Sequence, residues 1–374
     1  MTAAAPLRIV MVTQNFTPDP GGIETTMGGL AHELAAAGHA LTVFADRIRS
    51  GRAEDTPPAI PIHRFGGPRP LRRLRKRLAL WRALRQAPPD AIIADSWKSV
   101  EALPATPARL LVLAHGMEFP PAPSAGKAAR IRAALGRAAA IAANSRYTAG
   151  LVAPYRGAGQ VVAVVQPVIR PQPAPPPADR QAVAALIGDG GPVLLSLARL
   201  EPRKGFDMVI RALPALAAEF PGILHLVAGS GPDAGRLRAL AEQLGVARHL
   251  RLLGRVEEGM KAALFSRADV FAMPARREGA SVEGFGLVYL EAGWHGAPSL
   301  AGRDGGAADA VADGETGLVC DGADAAAVQA ALLALLRDPG RRAAMGAAAA
   351  ARVRRDFLWP AVVPRYVALL RGDS

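Results

Sequence analysis

Cysteine occurs once in the 374 residues, at Cys320, so no disulfide can form within the chain and a reducing compartment, the cytoplasm, is expected. Long apolar runs are missing too, and nothing approaches the roughly 20 residues that a bilayer-spanning helix needs. The first short run, Ile9 to Val12, follows a neutral leader; it is too brief for a signal peptide and suits a first strand. There is no Asp-x-Asp motif and the seven histidines form no pair at ligand spacing, so neither a metal nor another cofactor is expected. Aromatic residues make up only 5% of the chain and do not interleave with its basic residues as stacking platforms, which argues against nucleic acid as a partner.

What is present is a globular composition, 50% hydrophobic with 21% charged, in a chain long enough for two domains of roughly 150 to 180 residues each. The net charge of +13 is unevenly spread. Residues 1–170 carry 22 Lys and Arg against 10 Asp and Glu, whereas the rest carry 23 against 22. Much of the excess lies in residues 69–85, where eight basic residues occur without an acid. Leu71, Leu74, Leu78 and Trp81 recur there at spacings of three, four and three, along one face of a helix. Such a helix suits the anionic surface of a membrane. It equally suits a domain helix whose apolar stripe enters the core and whose basic face is solvated.

Strand-like and helix-like segments alternate throughout, the pattern of parallel sheets covered on both faces. Strands are expected at residues 8–13, 41–45, 91–94, 110–114, 140–143 and 161–165, with a helix over 23–37 stopped by Gly38. Six prolines between Pro167 and Pro177 then mark residues 169–190 as a connection without regular structure. Alternation resumes with strands at 193–197, 224–228, 250–253 and 270–273, separated by helices over 207–219, 234–244 and 258–265. Ligands of open α/β sheets bind beyond the carboxyl ends of the strands.

The segment Glu283, Gly284, Phe285, Gly286, Leu287, Val288, Tyr289, Leu290, Glu291 follows the last of these strands. It sets two carboxylates eight residues apart around a glycine turn that opens a helix near Gly286. First-turn amides and the helix dipole make a place for an anion, usually phosphate. Glu291, about 6 Å along the axis from Leu287, can take a neutral hydroxyl beside it. Two acids would repel a bare phosphate, but they suit one flanked by hydroxyl-bearing sugars, as in a nucleotide sugar. The bland alternative is a surface loop with a helix-opening acid and a second acid facing solvent.

This segment resembles the E-x7-E signature of the family 4 retaining glycosyltransferases, and other stretches agree with it. Residues 196–205, Ser-Leu-Ala-Arg-Leu-Glu-Pro-Arg-Lys-Gly, look like that family's strand-end element. Gly229-Ser230-Gly231-Pro232 resembles its glycine turn, Gly305-Gly306 a later one, and Pro20-Gly21-Gly22-Ile23-Glu24 its phosphate-approach loop. The resemblance implies the GT-B fold, two Rossmann-like doubly wound parallel-sheet domains facing across a cleft. An acceptor-side domain would span 1–168 with the tail 358–374, and a nucleotide-sugar domain 191–357.

The resemblance also implies roles. Arg199 and Lys204 would stabilise the departing diphosphate, which needs fixed positive charge as the sugar bond stretches. Glu283, with the amides of Phe285, Gly286 and Leu287, would hold hydroxyls of the transferred sugar or approach its phosphate, and Glu291 would hold the ribose. Gly21, Gly22 and Gly229 would allow close backbone approach, while Arg255 and Val256 would flank the base. His115 would sit beside the reacting carbon and Arg146 would reach the cleft. The expected reaction is a retaining transfer of a hexose from an NDP-sugar to a lipid-linked or glycan acceptor, by a protein peripheral to the inner face of the membrane.

Two departures matter. Residues 275–282 form a longer loop than many relatives have, similar to bacterial enzymes that mannosylate phosphatidylinositol mannosides and to some polysaccharide-assembly transferases, which makes mannose from GDP-mannose the candidate donor. Pro167-Val168-Ile169-Arg170 stands where many relatives carry Asn-Gly-Val-Asp. A rival from another class is an NAD-dependent oxidoreductase, since Gly229, Gly231 and Ala234 fit G-x-G-x-x-A, but the acid expected about 20 residues later is replaced by Arg251 and Leu252. A sugar phosphorylase or nucleotide-sugar epimerase would share the fold, and a non-enzymatic membrane or nucleic-acid binder would have to explain the strand-end motifs.

Overall fold

The computed structural model describes residues 5–19, 21–47, 60–188 and 190–373. They form two compact units: Met1–Val168 with Trp359–Ser374, and Ile169–Leu358.

The first unit is built on seven parallel strands, β1 (Arg8–Val12), β2 (Ala40–Asp46), β3 (Ile62–Phe65), β4 (Ala91–Ala94), β5 (Arg109–Ala114), β6 (Ala140–Ala143) and β7 (Val161–Val164). Their order, β3-β2-β1-β4-β5-β6-β7, reverses direction between β1 and β4. β3 lacks an apolar run, its residues being Ile, His, Arg and Phe at the edge of the sheet, and the sequence pattern did not point to it. Because side chains alternate across a strand, Ile9 and Met11 enter one core while Val10 and Val12 enter the core on the opposite face. Helices α1 (Gly22–Ala36), α2 (Arg69–Gln86), α3 (Trp97–Val100), α4 (Ala125–Leu135) and α5 (Arg146–Val152) connect the strands.

The second unit repeats the plan with α6 (Pro177–Ile187), β8 (Val193–Leu197), α7 (Phe206–Glu219), β9 (Leu224–Ala228), α8 (Ala234–Gln243), β10 (Leu250–Gly254), α9 (Glu258–Arg267), β11 (Val270–Met273), α10 (Leu287–Trp294), β12 (Ser299–Gly302), α11 (Ala307–Ala310), β13 (Gly317–Cys320), α12 (Ala325–Arg337) and α13 (Pro339–Asp356). Its six parallel strands run β10-β9-β8-β11-β12-β13, reversing between β8 and β11. The last helix, α14 (Trp359–Arg371), returns to the first unit, where Trp359, Val362, Tyr366, Leu369 and Leu370 join its core.

Residues 169–190 are not a bare connection. Prolines occupy 171, 173 and 175–177, but Pro177 is the first residue of α6, where the missing N–H costs nothing. Val183 and Ile187 of that helix, together with Ile169, pack into the core of the second unit. The expectation of an unstructured linker is therefore corrected over Pro177–Ile187.

Candidate active site

At the carboxyl ends of β8, β9 and β10 three loops are tied together by their backbones. The Ala198 amide donates to Ala228 O at 3.2 Å, Leu200 to Ser230 O at 3.1 Å, and Gly229 to Gly254 O at 2.7 Å. Gly229 is required here: its φ is +132°, and a Cβ would stand 1.9 Å from the Ala198 carbonyl oxygen. Beyond these loops opens a cavity of about 640 Å³, lined by Arg199, Gly229, Ser230, Arg255, Val256, Glu258, Lys261 and Glu291 among others. Five of the residues named from the sequence, Arg199, Gly229, Arg255, Val256 and Glu291, thus share one cavity.

Glu291 projects from α10 and its Oε1 accepts from Lys261 Nζ of α9 at 3.0 Å. Lys261 also pairs with Glu258 at 2.7 Å. Burial raises the Glu291 pKa, and Lys261 opposes that rise without cancelling it. The Lys261 ammonium is disfavoured by burial but held charged by the two acids, so its own pKa is raised. The result is a carboxylate with one oxygen fixed by a lysine, set in a cavity lined by Arg199 and Arg255. Arg199, its side chain 71% exposed with Glu201 at 3.2 Å, and Arg255 are exposed cations of the group.

Lys204, Glu283, Phe285, Gly286 and Leu287 are not among that cavity's lining residues. Lys204 and Glu283 instead form a partly buried ion pair with each other, joined by Arg203 Nη1 at 3.2 Å from Glu283 Oε2. Burial pushes the Glu283 carboxyl up, but Lys204 and then Arg203 outweigh it and hold the pKa below the ordinary value. A bidentate pair from Arg276 to Asp207, at 2.8 and 3.0 Å, locks the surrounding loops, and the Arg276 amide donates to Arg203 O at 2.8 Å. Gly306 donates to Glu283 O at 2.8 Å, so the Gly305-Gly306 turn supports the same backbone. The long loop closes on itself through mutual 2.9 Å bonds between Glu278 and Ser281. Of these partners, Arg203, Asp207, Lys261 and Arg276 were not singled out from the sequence.

Gly21, Gly22, His115 and Arg146 belong to the first unit. Gly21 caps α1 at φ +154°, and a Cβ there would meet the Glu24 carboxylate at 2.1 Å. A Cβ at Gly22 would meet nothing within 4 Å among the described residues, so no crowding by them demands that glycine. Pro20 of the same loop lies outside the described residues. His115 follows β5; its amide donates to Glu118 Oε1 at 2.7 Å, and its Nε2 is buried without a hydrogen-bond partner among the described residues. Arg146 is exposed at the first position of α5, whose cap is Ser145 accepting from the Thr148 amide at 3.1 Å.

The alternative that placed the stripe of α2 in the core is overturned. Leu71, Leu74, Leu78 and Trp81 are 42, 54, 48 and 46% exposed, while Lys76, Leu80 and Leu84 are buried. The helix has a second apolar face at a spacing of four, and Leu80 and Leu84 on that face join the core with Phe44 and Trp97. No helix among the described residues is long and apolar enough to cross a membrane.

A family model described as Glycosyl transferases group 1 matches residues 178–352, and one described as Glycosyltransferase Family 4 matches residues 20–173. Over 97% of its length, and 98% of the relative's, the chain is 33% identical to the GDP-mannose-dependent alpha-(1-6)-phosphatidylinositol monomannoside mannosyltransferase of Mycolicibacterium smegmatis. It is 32% identical to the protein of the same name in Mycobacterium tuberculosis, over 98% of this chain and 99% of that one. Sucrose-phosphate synthase from Thermosynechococcus elongatus shares the fold with a TM-score of 0.77 at 21% identity, covering 98% of both chains. The catalytic domain of Starch Synthase IV from Arabidopsis thaliana does so with a TM-score of 0.74 at 14% identity, covering 98% of this chain and 99% of that one. None of these findings supports the oxidoreductase, phosphorylase, epimerase or non-enzymatic readings. With two doubly wound parallel sheets and relatives matched along nearly its whole length, the chain belongs to the family 4 glycosyltransferases of GT-B fold and is a hexosyltransferase.

Proposed function

We propose that the chain transfers mannose from GDP-mannose to a phosphatidylinositol-type glycolipid, with retention at the sugar carbon, while seated on the cytoplasmic face of a membrane. The observation that carries this reading is the near-full-length likeness to two mannosyltransferases whose names specify that donor and that lipid class. The cavity beside Glu291 supports it, since it combines open cations with a lysine-fixed carboxylate.

In this reading Glu291 accepts from the ribose hydroxyls, with Arg255 and Val256 along the base. Arg199 and Lys204 offset the charge that develops on the departing diphosphate, and Gly229 lets the backbone come close. Glu283 and the amides of Phe285, Gly286 and Leu287 hold the mannose hydroxyls. For Gly21, Gly22, His115 and Arg146, which belong to the first unit, the part in the reaction is read from the family resemblance alone. The Glu283 carboxylate is engaged by Lys204 and Arg203, which makes it a weak nucleophile. The reading is therefore of attack by the acceptor hydroxyl on the face the diphosphate leaves, its proton passing to a diphosphate oxygen, with no resident metal. The exposed stripe of α2 seats the protein on anionic lipid.

A thermal-shift screen of GDP-mannose, UDP-glucose and ADP-glucose tests the donor. A ligand that binds only the native state at 100 times its Kd adds about 2.7 kcal/mol of stability. GDP-mannose is expected to raise Tm and the Glu291→Ala variant to lose that rise; a response to UDP-glucose alone would refute the reading.

A further inference from the structure

The long loop, residues 275–282, has no part in the reaction as read above, yet one of its side chains reaches beneath the strand ends that carry the site. The Arg276 side chain is 11% exposed, and its partner Asp207, in the first turn of α7, is only 3% exposed. Asp207 also accepts from Arg236 Nη1 at 3.3 Å, and Arg236 in turn donates to the two oxygens of Asp233 at 2.5 and 2.7 Å. Asp233 caps α8 and Arg236 lies in that helix, so chain segments that follow β8, β9 and β11 meet at one buried carboxylate. The loop is tied to a fourth strand end as well, the Arg277 amide donating to Asp304 Oδ2 at 2.8 Å.

Two guanidinium groups and two carboxylates make the cluster neutral, and Glu278, 3.9 Å from Arg276 Nε, adds a more exposed acid. No formal positive charge is left over for a diphosphate, and Arg276 is not among the residues lining the cavity beside Glu291. The cluster instead borders the short turn Pro202–Lys204. There the Arg276 amide donates to Arg203 O, and at Gly205, whose φ is +75°, a Cβ would stand 2.1 Å from Pro274 O, so the two backbones lie against each other. Arg203 and Lys204 extend from this turn to the Glu283 carboxylate, and Arg203 Nε also donates to Glu201 at 2.9 Å. A bidentate guanidinium–carboxylate pair fixes direction as well as distance. A shift of the turn would move both cations relative to Glu283 together.

We propose that Arg276 is a positioning residue for sugar transfer: by clamping Asp207 and the Arg203 carbonyl it keeps Arg203 and Lys204 in register with Glu283, and so governs turnover more than donor affinity. The inference rests on the roles proposed above for Lys204 and Glu283 and adds the device that sets their geometry. Affinity follows the cavity that holds Arg199, Arg255 and Glu291, whereas charge on the departing diphosphate grows toward the transition state, where the placing of Lys204 counts most.

Steady-state kinetics of the full chain with GDP-mannose and phosphatidylinositol monomannoside, for the wild type, Arg276→Gln and Asp207→Asn, test it. They are read beside the pH titration of Glu283, followed by carbon-13 NMR of protein labelled at the glutamate carboxyls and assigned with Glu283→Gln. Arg236 still pairs with Asp207 when Arg276 is replaced, and Asp207→Asn keeps an oxygen to accept from the guanidinium, so the second variant carries the test if the first does not fold. Each variant is expected to lose kcat by at least about tenfold while KM for GDP-mannose stays within about threefold, and its Glu283 midpoint should rise as the cations loosen. A smaller loss of kcat, a loss carried by KM, or a Glu283 midpoint unmoved from that of the wild type would each overturn the proposal. If the wild type itself transfers no mannose, the function proposed above fails, and the Glu283 midpoint alone then decides: a rise in the variants supports the clamp, and no rise overturns it.

Discussion

Glu283 shows how the charge of one side chain is set by its neighbours. Its folded pKa lies below its ordinary value of about 4.5 because Lys204 and Arg203 outweigh burial. A depressed acid contributes stability that is fully present above the unfolded pKa and is lost as pH falls through the folded one. Urea titrations of the wild type should therefore show stability falling from about pH 5 downward, and Glu283→Gln should flatten that limb. An unaltered acid limb in the variant would assign it to other carboxylates. Arg199, Gly229, Glu283 and Glu291 could be picked from the sequence because each sits within a contiguous motif. Their long-range partners Lys261 and Arg203 could not. Lys261 is 30 residues from Glu291, Arg203 is 80 from Glu283, and Arg276 is 69 from Asp207. Pairing at such separations is decided by which strand ends adjoin, and local spacing carries no record of it.

Among the elements, α2 is the instructive case. That residues 69–86 form a helix follows from spacing, but the sequence offers two apolar faces, one of four residues and one of two. The smaller is the buried one, because the sheet and α3 supply Phe44 and Trp97 against Leu80 and Leu84. A consequence can be measured. Leu78→Ser with Trp81→Ser alters side chains 48 and 46% exposed, so folding stability should stay within about 0.5 kcal/mol of wild type. Co-sedimentation with phosphatidylcholine vesicles containing phosphatidylglycerol should fall roughly tenfold, about 1.4 kcal/mol. Undiminished sedimentation would remove α2 from the membrane reading. The edge strand β3 and helix α6 escaped the sequence pattern for related reasons: one has no apolar run, and the other begins inside a proline cluster whose last member is a good helix opener.

For the molecule as a whole, the arrangement of cores matters most. One core belongs to residues 169–357, and the two flanking the other sheet draw on residues 9–168 and on α14. α14 also receives bonds from outside itself, Arg109 Nε donating to Leu369 O at 2.8 Å. Deleting residues 359–373 should therefore strip Trp359, Tyr366 and Leu369 from the first unit and abolish or lower its calorimetric transition. The transition of the second unit, and its rise with GDP-mannose, should persist. A truncated chain that kept both transitions unchanged would contradict this division.

Period and punctuation along the chain were enough to determine two parallel α/β sheets, the strand ends at which ligands gather, and the motifs that mark a glycosyltransferase, because these depend on residues within one turn or one strand of each other. Tertiary structure alone decided which face of α2 is buried, which lysine fixes Glu291, that Lys204 is matched to Glu283, and that Arg276 of the long loop is matched to Asp207. Those outcomes depend on distances between residues far apart in the chain, and only the packing of strands and helices brings such residues together.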